Sequence, residues 1–158
     1  MTDSSGMNFW LFCTVDSFDG EDWIPARSII EARVRVGAWP IGARTPHKEM
    51  LKRGDVAILY VGGSRLDRLS FIGEVVVEAP ISRPEARLLA EADHVGEYPY
   101  FIPISSARFF ERPVPIKVMP VALLGINTSH PKWGAHLQGG LKRLSPGAYS
   151  AIVGYGKG

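Results

Sequence analysis

Only one cysteine, Cys13, stands among 158 residues, so no disulfide can form within the chain. It lies in the apolar run of residues 9–15, a setting for a small core residue and not for a nucleophile, which needs an exposed, electropositive place. A lone buried thiol fits a reducing compartment. Histidine is almost as scarce. Of His47, His94, His130 and His136 only the last two are near each other, and their gap is wider than the usual spacing of zinc ligands, with no second cysteine to complete a site. Neither a metal nor a cofactor is expected. No apolar run approaches the roughly 18 residues that span a bilayer, and no basic stretch leads into an apolar one as in a secretory signal. A cytoplasmic protein with no membrane partner is the expectation. Missing too are internal repeats, a GxSxG elbow, a Walker-type phosphate loop, a GxGxxG fingerprint and a pair of carboxylates placed for acid and base work. Binding without catalysis is therefore expected. An excess of charge of either sign is absent: Lys+Arg 18 against Asp+Glu 16 leaves +2. A protein that neutralises many phosphates carries more, so a nucleic-acid partner is admissible only with a short footprint.

What is present is enough for a core. Hydrophobic residues make up 46% of the chain and charged ones 22%, the balance of one globular domain. Gly 17 and Pro 12 point to short elements joined by many turns. Residues 1–7 are expected to be a disordered start and residues 8–155 a single domain. Residues 8–15 (NFWLFCTV) predict a buried strand. Asp22 is placed to cap a helix over residues 23–30, and residues 34–42 (VRVGAWPIG) predict a shaped loop. Thr45-Pro46 opens a predicted helix to residue 52. Residues 55–62 (DVAILYVG) and 69–79 (LSFIGEVVVEA) predict a strand hairpin across a loop carrying Arg65 and Arg68. A helix over 84–93 and strand structure over 98–110 follow. Pro113, Pro115 and Pro120 make residues 112–124 an edge strand or an extended segment. Residues 125–140 are irregular, and Ser145-Pro146 caps a helix ending near Gly154. The fold class is α+β with β dominant.

The aromatics carry the functional signal. Trp39 sits between glycines and a proline, where a rigid loop could offer its face to a planar ligand or let it plug one end of a small barrel. Trp10 lies in the first strand and suits the core. Trp23 is expected to anchor its helix, and Trp133 has no assigned role.

Taken in order, residues 8–12 (NFWLF), 37–45 (GAWPIGART), 50–63 (MLKRGDVAILYVGG), 71–77 (FIGEVVV) and 141–152 (LKRLSPGAYSAI) resemble the EVE domain, a member of the PUA-like superfamily related to the YTH domain. The resemblance implies a twisted, partly closed β-barrel with short helices covering its ends. It also implies a pocket for a nucleobase, often a modified one. Trp39 and Tyr60 then become pocket walls with Trp10 adjacent. Arg44 and Thr45 fall where the family often has Arg-Asn. Thr45 departs from that asparagine, and a hydroxyl offers fewer bonds than an amide, which leaves base identity open. A flipped base exchanges stacking in the strand for stacking in an aromatic pocket, and Arg65, Arg68, Lys142 and Arg143 are candidates for the phosphate backbone. This reading expects the Trp39 ring partly exposed beside Tyr60; full burial of Trp39 rejects the site. DNA and RNA, and the oligomeric state, stay open. Two rivals share the barrel. One is an ASCH-type enzyme acting on RNA or nucleosides, whose Gly-x-Lys-x-x-Glu-x-Arg pattern is missing here. The other is a small-molecule or protein-interaction domain.

Overall fold

A computed structural model describes residues 6–42, 48–62, 69–81, 100–118 and 141–156. Among these the strands are β1 (Phe9–Thr14), β2 (Ser17–Asp19), β3 (Asp22–Ile24), β4 (Ala38–Ile41), β5 (Val56–Val61), β6 (Ser70–Val77), β7 (Tyr100–Pro115) and β8 (Leu141–Leu144). Helix α1 spans Ala26–Val36 and α2 spans Pro146–Gly156. Six strands form one curved sheet in the order β4-β7-β6-β5-β1-β8, a half-barrel, while β2 and β3 make a small hairpin. The β-dominant, partly closed architecture with two short helices is thus present. No described helix is long and apolar enough to cross a membrane.

The two faces of the sheet are read directly from period-two alternation in the strands. In β1, Trp10 and Phe12 enter one apolar cluster while Leu11 and Cys13 enter another. In β5, Ala57, Leu59 and Val61 join the first while Ile58 and Tyr60 join the second. Helix α1 covers the first cluster through Ala26 and Ile30; α2 covers the second through Ala148, Ile152 and Val153.

β1 and β5 run parallel, Phe9 beside Val56, and one buried carboxylate ties their starts together. Asp55 accepts from the Asn8 N–H at 3.0 Å, the Trp10 indole Nε1 at 2.9 Å, the Lys52 N–H at 3.2 Å and Lys52 Nζ at 2.8 Å. The Lys-Arg-Gly-Asp turn is therefore a strand-start clamp, with Gly54 at φ 92 making the bend.

Several expectations change. Residues 23–24 belong to β3, and the helix begins at Ala26 and runs on to Val36. Asp16, not Asp22, anchors its start. One oxygen takes the Ala26 N–H at 2.7 Å and the other takes Trp23 Nε1 at 2.8 Å. Residues 38–41 form β4 and not a loop. Pro40 is tolerated because, among the described strands, β4 is an edge strand paired with β7 alone. The helix expected over 46–52 is reduced to a 3₁₀ turn, Lys48–Met50, in its described part. Strand structure over 98–110 and the proline-bearing segment after it fuse into the 16-residue β7. Pro113 and Pro115 fit because β4 pairs with residues 100–103 of β7, which leaves the far half, among the described strands, with β6 alone. Residues 141–144 form β8, and the helix expected after Ser145-Pro146 follows, with Ser145 Oγ accepting the Ala148 N–H at 3.1 Å. The predicted helix over 84–93, the irregular stretch 125–140, all four histidines and Trp133 lie outside the described residues.

Candidate base-binding site

The centre of the expected site is Trp39, placed by the end of α1. Gly37 adopts φ 81 and donates its N–H to the carbonyls of Arg33 at 2.8 Å and Val34 at 3.2 Å, which stops the helix. The Gly37 carbonyl accepts the Ile104 N–H at 3.0 Å, so the chain enters β4 at once. A Cβ at Gly37 would also crowd the Ile104 carbonyl at 3.3 Å. This tight reversal lays the last turn of α1 over the second residue of β4. The Arg33 guanidinium sits 4.6 Å from the Trp39 ring centroid, and Arg33 Nη1 donates to Thr14 Oγ1 at 2.9 Å. The Phe12 ring lies 5.1 Å from the indole at an interplanar angle of 30°.

Trp39 is therefore only 1% exposed, and Tyr60 is not beside it. Tyr60 projects from the opposite face of the sheet into the second cluster, 5.1 Å from the Phe71 ring. Burial, and then the neighbouring Cys13, push its hydroxyl pKa up, so it stays protonated. The pocket expected between Trp39 and Tyr60 is not formed, because one residue of strand register separates the faces. Trp10 does share the cluster of Trp39, fully buried. Arg44, Thr45, Arg65 and Arg68 lie outside the described residues.

Lys142 and Arg143 are split for the same reason. In β8 Lys142 stands opposite Leu11, on the face of the second cluster, and Arg143 stands opposite Trp10, on the face of the first. They do not make one basic patch. The Arg143 guanidinium lies 5.9 Å from the Trp10 ring centroid, and its Nη2 donates to Asn8 Oδ1 at 2.5 Å. It lines an open cavity of about 290 Å³ with Met7, Asn8, Phe9, Leu144, Ser145 and Pro146. Behind that cavity Phe9 stacks on Tyr149 with centroids 4.2 Å apart. Tyr149 donates its hydroxyl to Glu74 Oε1 at 2.6 Å, and Arg108 pairs with the same carboxylate. Burial, reinforced by Glu74, pushes the Tyr149 pKa up.

Two contact residues escaped the sequence reading: Thr14 and Arg33. Arg33 had a signal. It falls at helical spacing from Ile29 and Ile30, where the apolar face of α1 calls for an aliphatic side chain. Among the described residues no group of three or more His, Cys, Asp or Glu is placed to hold a metal ion.

No protein-family model matches this sequence, and no curated protein matches it. Solved structures do. Human THYN1 in complex with DNA containing 5-methylcytosine superposes with a TM-score of 0.60 at 11% identity, over 96% of this chain and 98% of that one. The YTH domain of Zygosaccharomyces rouxii MRB1 in complex with N6-methyladenosine RNA gives 0.59 at 9% identity, over 100% of this chain and 89% of the other. Rpa0253 from Rhodopseudomonas palustris gives 0.56 at 16% identity, over 95% and 93%. This chain has the PUA-like fold of the EVE and YTH domains. The PUA-like sheet accounts for the spacing of the five matching segments. In their described parts they are β1, β4, β5 and β6 with the turns beside them, and β8 with most of α2, the α1–β4 reversal carrying the tryptophan.

Proposed function

We propose that this PUA-like domain is a non-catalytic nucleic-acid-binding module that reads a modified base and holds the strand's backbone near Arg143. The observation that carries this reading is the fold. Nearly the whole chain shares it with two domains solved on methylated nucleic acid, one DNA and one RNA. Trp39, buried at the α1–β4 junction, offers no face to a base, and Arg44 and Thr45 follow it in sequence as candidates for edge contacts. Arg143, next to an open cavity, is the phosphate contact on the same face as Trp10. Tyr60 has no part in the pocket.

The test is a titration of fluorescently labelled short strands, plain and with methylated, hydroxymethylated or carboxylated bases, over a range of salt. Arg44→Ala should remove the preference for a modified base, about ten- to a hundredfold for lost hydrogen bonds to a charged group. Arg44→Lys should keep part of it. Arg143→Glu should weaken all strands alike and lower the salt slope, whereas Lys142→Glu, on the other face, should do much less. The reverse pattern would make the domain a backbone binder. No binding to any strand at low salt would transfer the site to a small molecule or a protein partner.

A further inference from the structure

The corner where β1 begins, β8 ends and α2 starts holds the open cavity of about 290 Å³. Among the described residues Arg143 is its one charged side chain, and most of its walls are apolar: Met7, Phe9, Leu144 and Pro146. Met7 is 46% exposed, an apolar side chain left in water beside a cation. A phosphate alone would use the arginine and leave those walls wet. The volume lies near the lower bound of ligand pockets, roughly 300 Å³, which is room for one ring system and not for a longer segment. Both ends of the cavity are held in place. Phe9 stacks on Tyr149 with centroids 4.2 Å apart and 22° between the planes. Tyr149 is fixed in turn by its hydroxyl bond to Glu74, which also pairs with Arg108. Phe9 is thus the open end of a two-ring stack. Arg143 Nη2 donates to Asn8 Oδ1, and among the described residues no other hydrogen bond engages the guanidinium. Its remaining N–H groups are left for an anion.

Resting on the nucleic-acid reading above, we propose that this cavity is a second subsite that takes one further nucleotide of the bound strand, its phosphate on Arg143 and its base, unpaired, stacked on Phe9. The subsite does not select among bases. Every base has a π-face to stack, and the Asn8 oxygen that could accept from a base edge is already used by Arg143. It selects instead for strandedness. A base reaches Phe9 only after leaving its pairing partner, so a single strand or a strand end is bound in preference to a closed duplex.

The experiment uses labelled short single strands with one modified base at a fixed position. They are compared with strands that lack the base, but keep the sugar and phosphate, at each other position in turn. The intact chain should show one position where loss of the base weakens binding by about ten- to a hundredfold, the range for one stacked base. Exchange among the four bases at that position should change binding by less than about threefold. Phe9→Leu should erase the penalty by weakening the strand that has the base and sparing the one that lacks it. Met7→Ala, at an exposed side chain, should reduce it. Arg143→Gln should weaken both strands equally. Absence of any such position would overturn the subsite and leave the nucleic-acid reading standing. A penalty unchanged in Phe9→Leu and Met7→Ala would do the same, as would a closed duplex bound as tightly as the single strand. Failure of the intact chain to bind any strand at low salt would overturn both. Should Phe9→Leu not fold, Met7→Ala decides.

Discussion

Asp55 shows how much a single side chain can hold. A fully buried carboxylate is costly unless its lone pairs are used, and here four donors from Asn8, Trp10 and Lys52 use them. Asp55→Asn keeps the shape but turns an NH₂ toward donors. It should cost about 3–5 kcal/mol, the range for breaking a buried charge pair, read from urea unfolding, and a loss under 1 kcal/mol would contradict the clamp. None of this was legible in the sequence. The Lys-Arg-Gly-Asp segment announced a turn before a strand, but the partners Asn8 and Trp10 are distant in the chain, and only the parallel pairing of β1 with β5 brings them in. Cys13 was legible, because a thiol inside an aromatic strand has little choice but the core. Burial pushes its pKa from 9.0 up to about 12. The folded protein should resist alkylation at pH 8 and react only after denaturant is added; rapid labelling of the native chain would place Cys13 at the surface.

At the level of elements, strands with a strong alternating pattern could be read and the junctions could not. β1, β5 and β6 appear within a residue or two of their expected limits, since β-branched and aromatic runs between turn residues have one good solution. β4 was hidden. Its two flanking glycines and Pro40 look like a loop, and the extended conformation comes from pairing with β7 at an edge where the missing donor is harmless. The same locality explains the lost Trp39–Tyr60 pocket: the parity of positions within a strand sets the face, yet which face meets α1 is decided by the whole sheet. Gly73 belongs to this scale as well. The register shifts around it where β6 meets β7, and a Cβ there would stand 2.7 Å from the Arg108 carbonyl and 3.0 Å from Phe109 Cα. Backbone atoms cannot swing aside. Gly73→Ala should destabilise by about 1–3 kcal/mol as an overpacked site, measured by the thermal midpoint. Unchanged stability would mean that β7 can slide past the irregularity.

For the molecule as a whole, the sequence disclosed the fold class through the order of modest motifs, and withheld the geometry of the site because Arg33 and Trp39 meet only after α1, β1 and β4 are assembled. One global property follows from groups scattered over the second cluster. Cys13, Tyr60 and Tyr149 all have raised pKa values, each chiefly through burial. The folded state therefore holds their protons more tightly than the unfolded chain does. Their contribution to stability is whole below the ordinary values of 9.0 for the thiol and 10.0 for the phenols, and it is lost as pH rises through the folded values. The thermal midpoint should be flat from pH 7 to 8.5 and fall above about 9. The fall should be shallower in Cys13→Val; a midpoint that rises toward pH 11 would reverse the sign. The sheet order carries a different kind of consequence. β1 lies between β5 and β8, so this strand gains its second neighbour only when Leu141–Leu144 has been made. Until then Trp10 and Leu11 border an unpaired backbone edge, the kind of surface on which nascent chains associate. Synthesis that stalls between β7 and β8 should accordingly yield a sticky chain, and one that resumes should yield a domain that closes late and all at once.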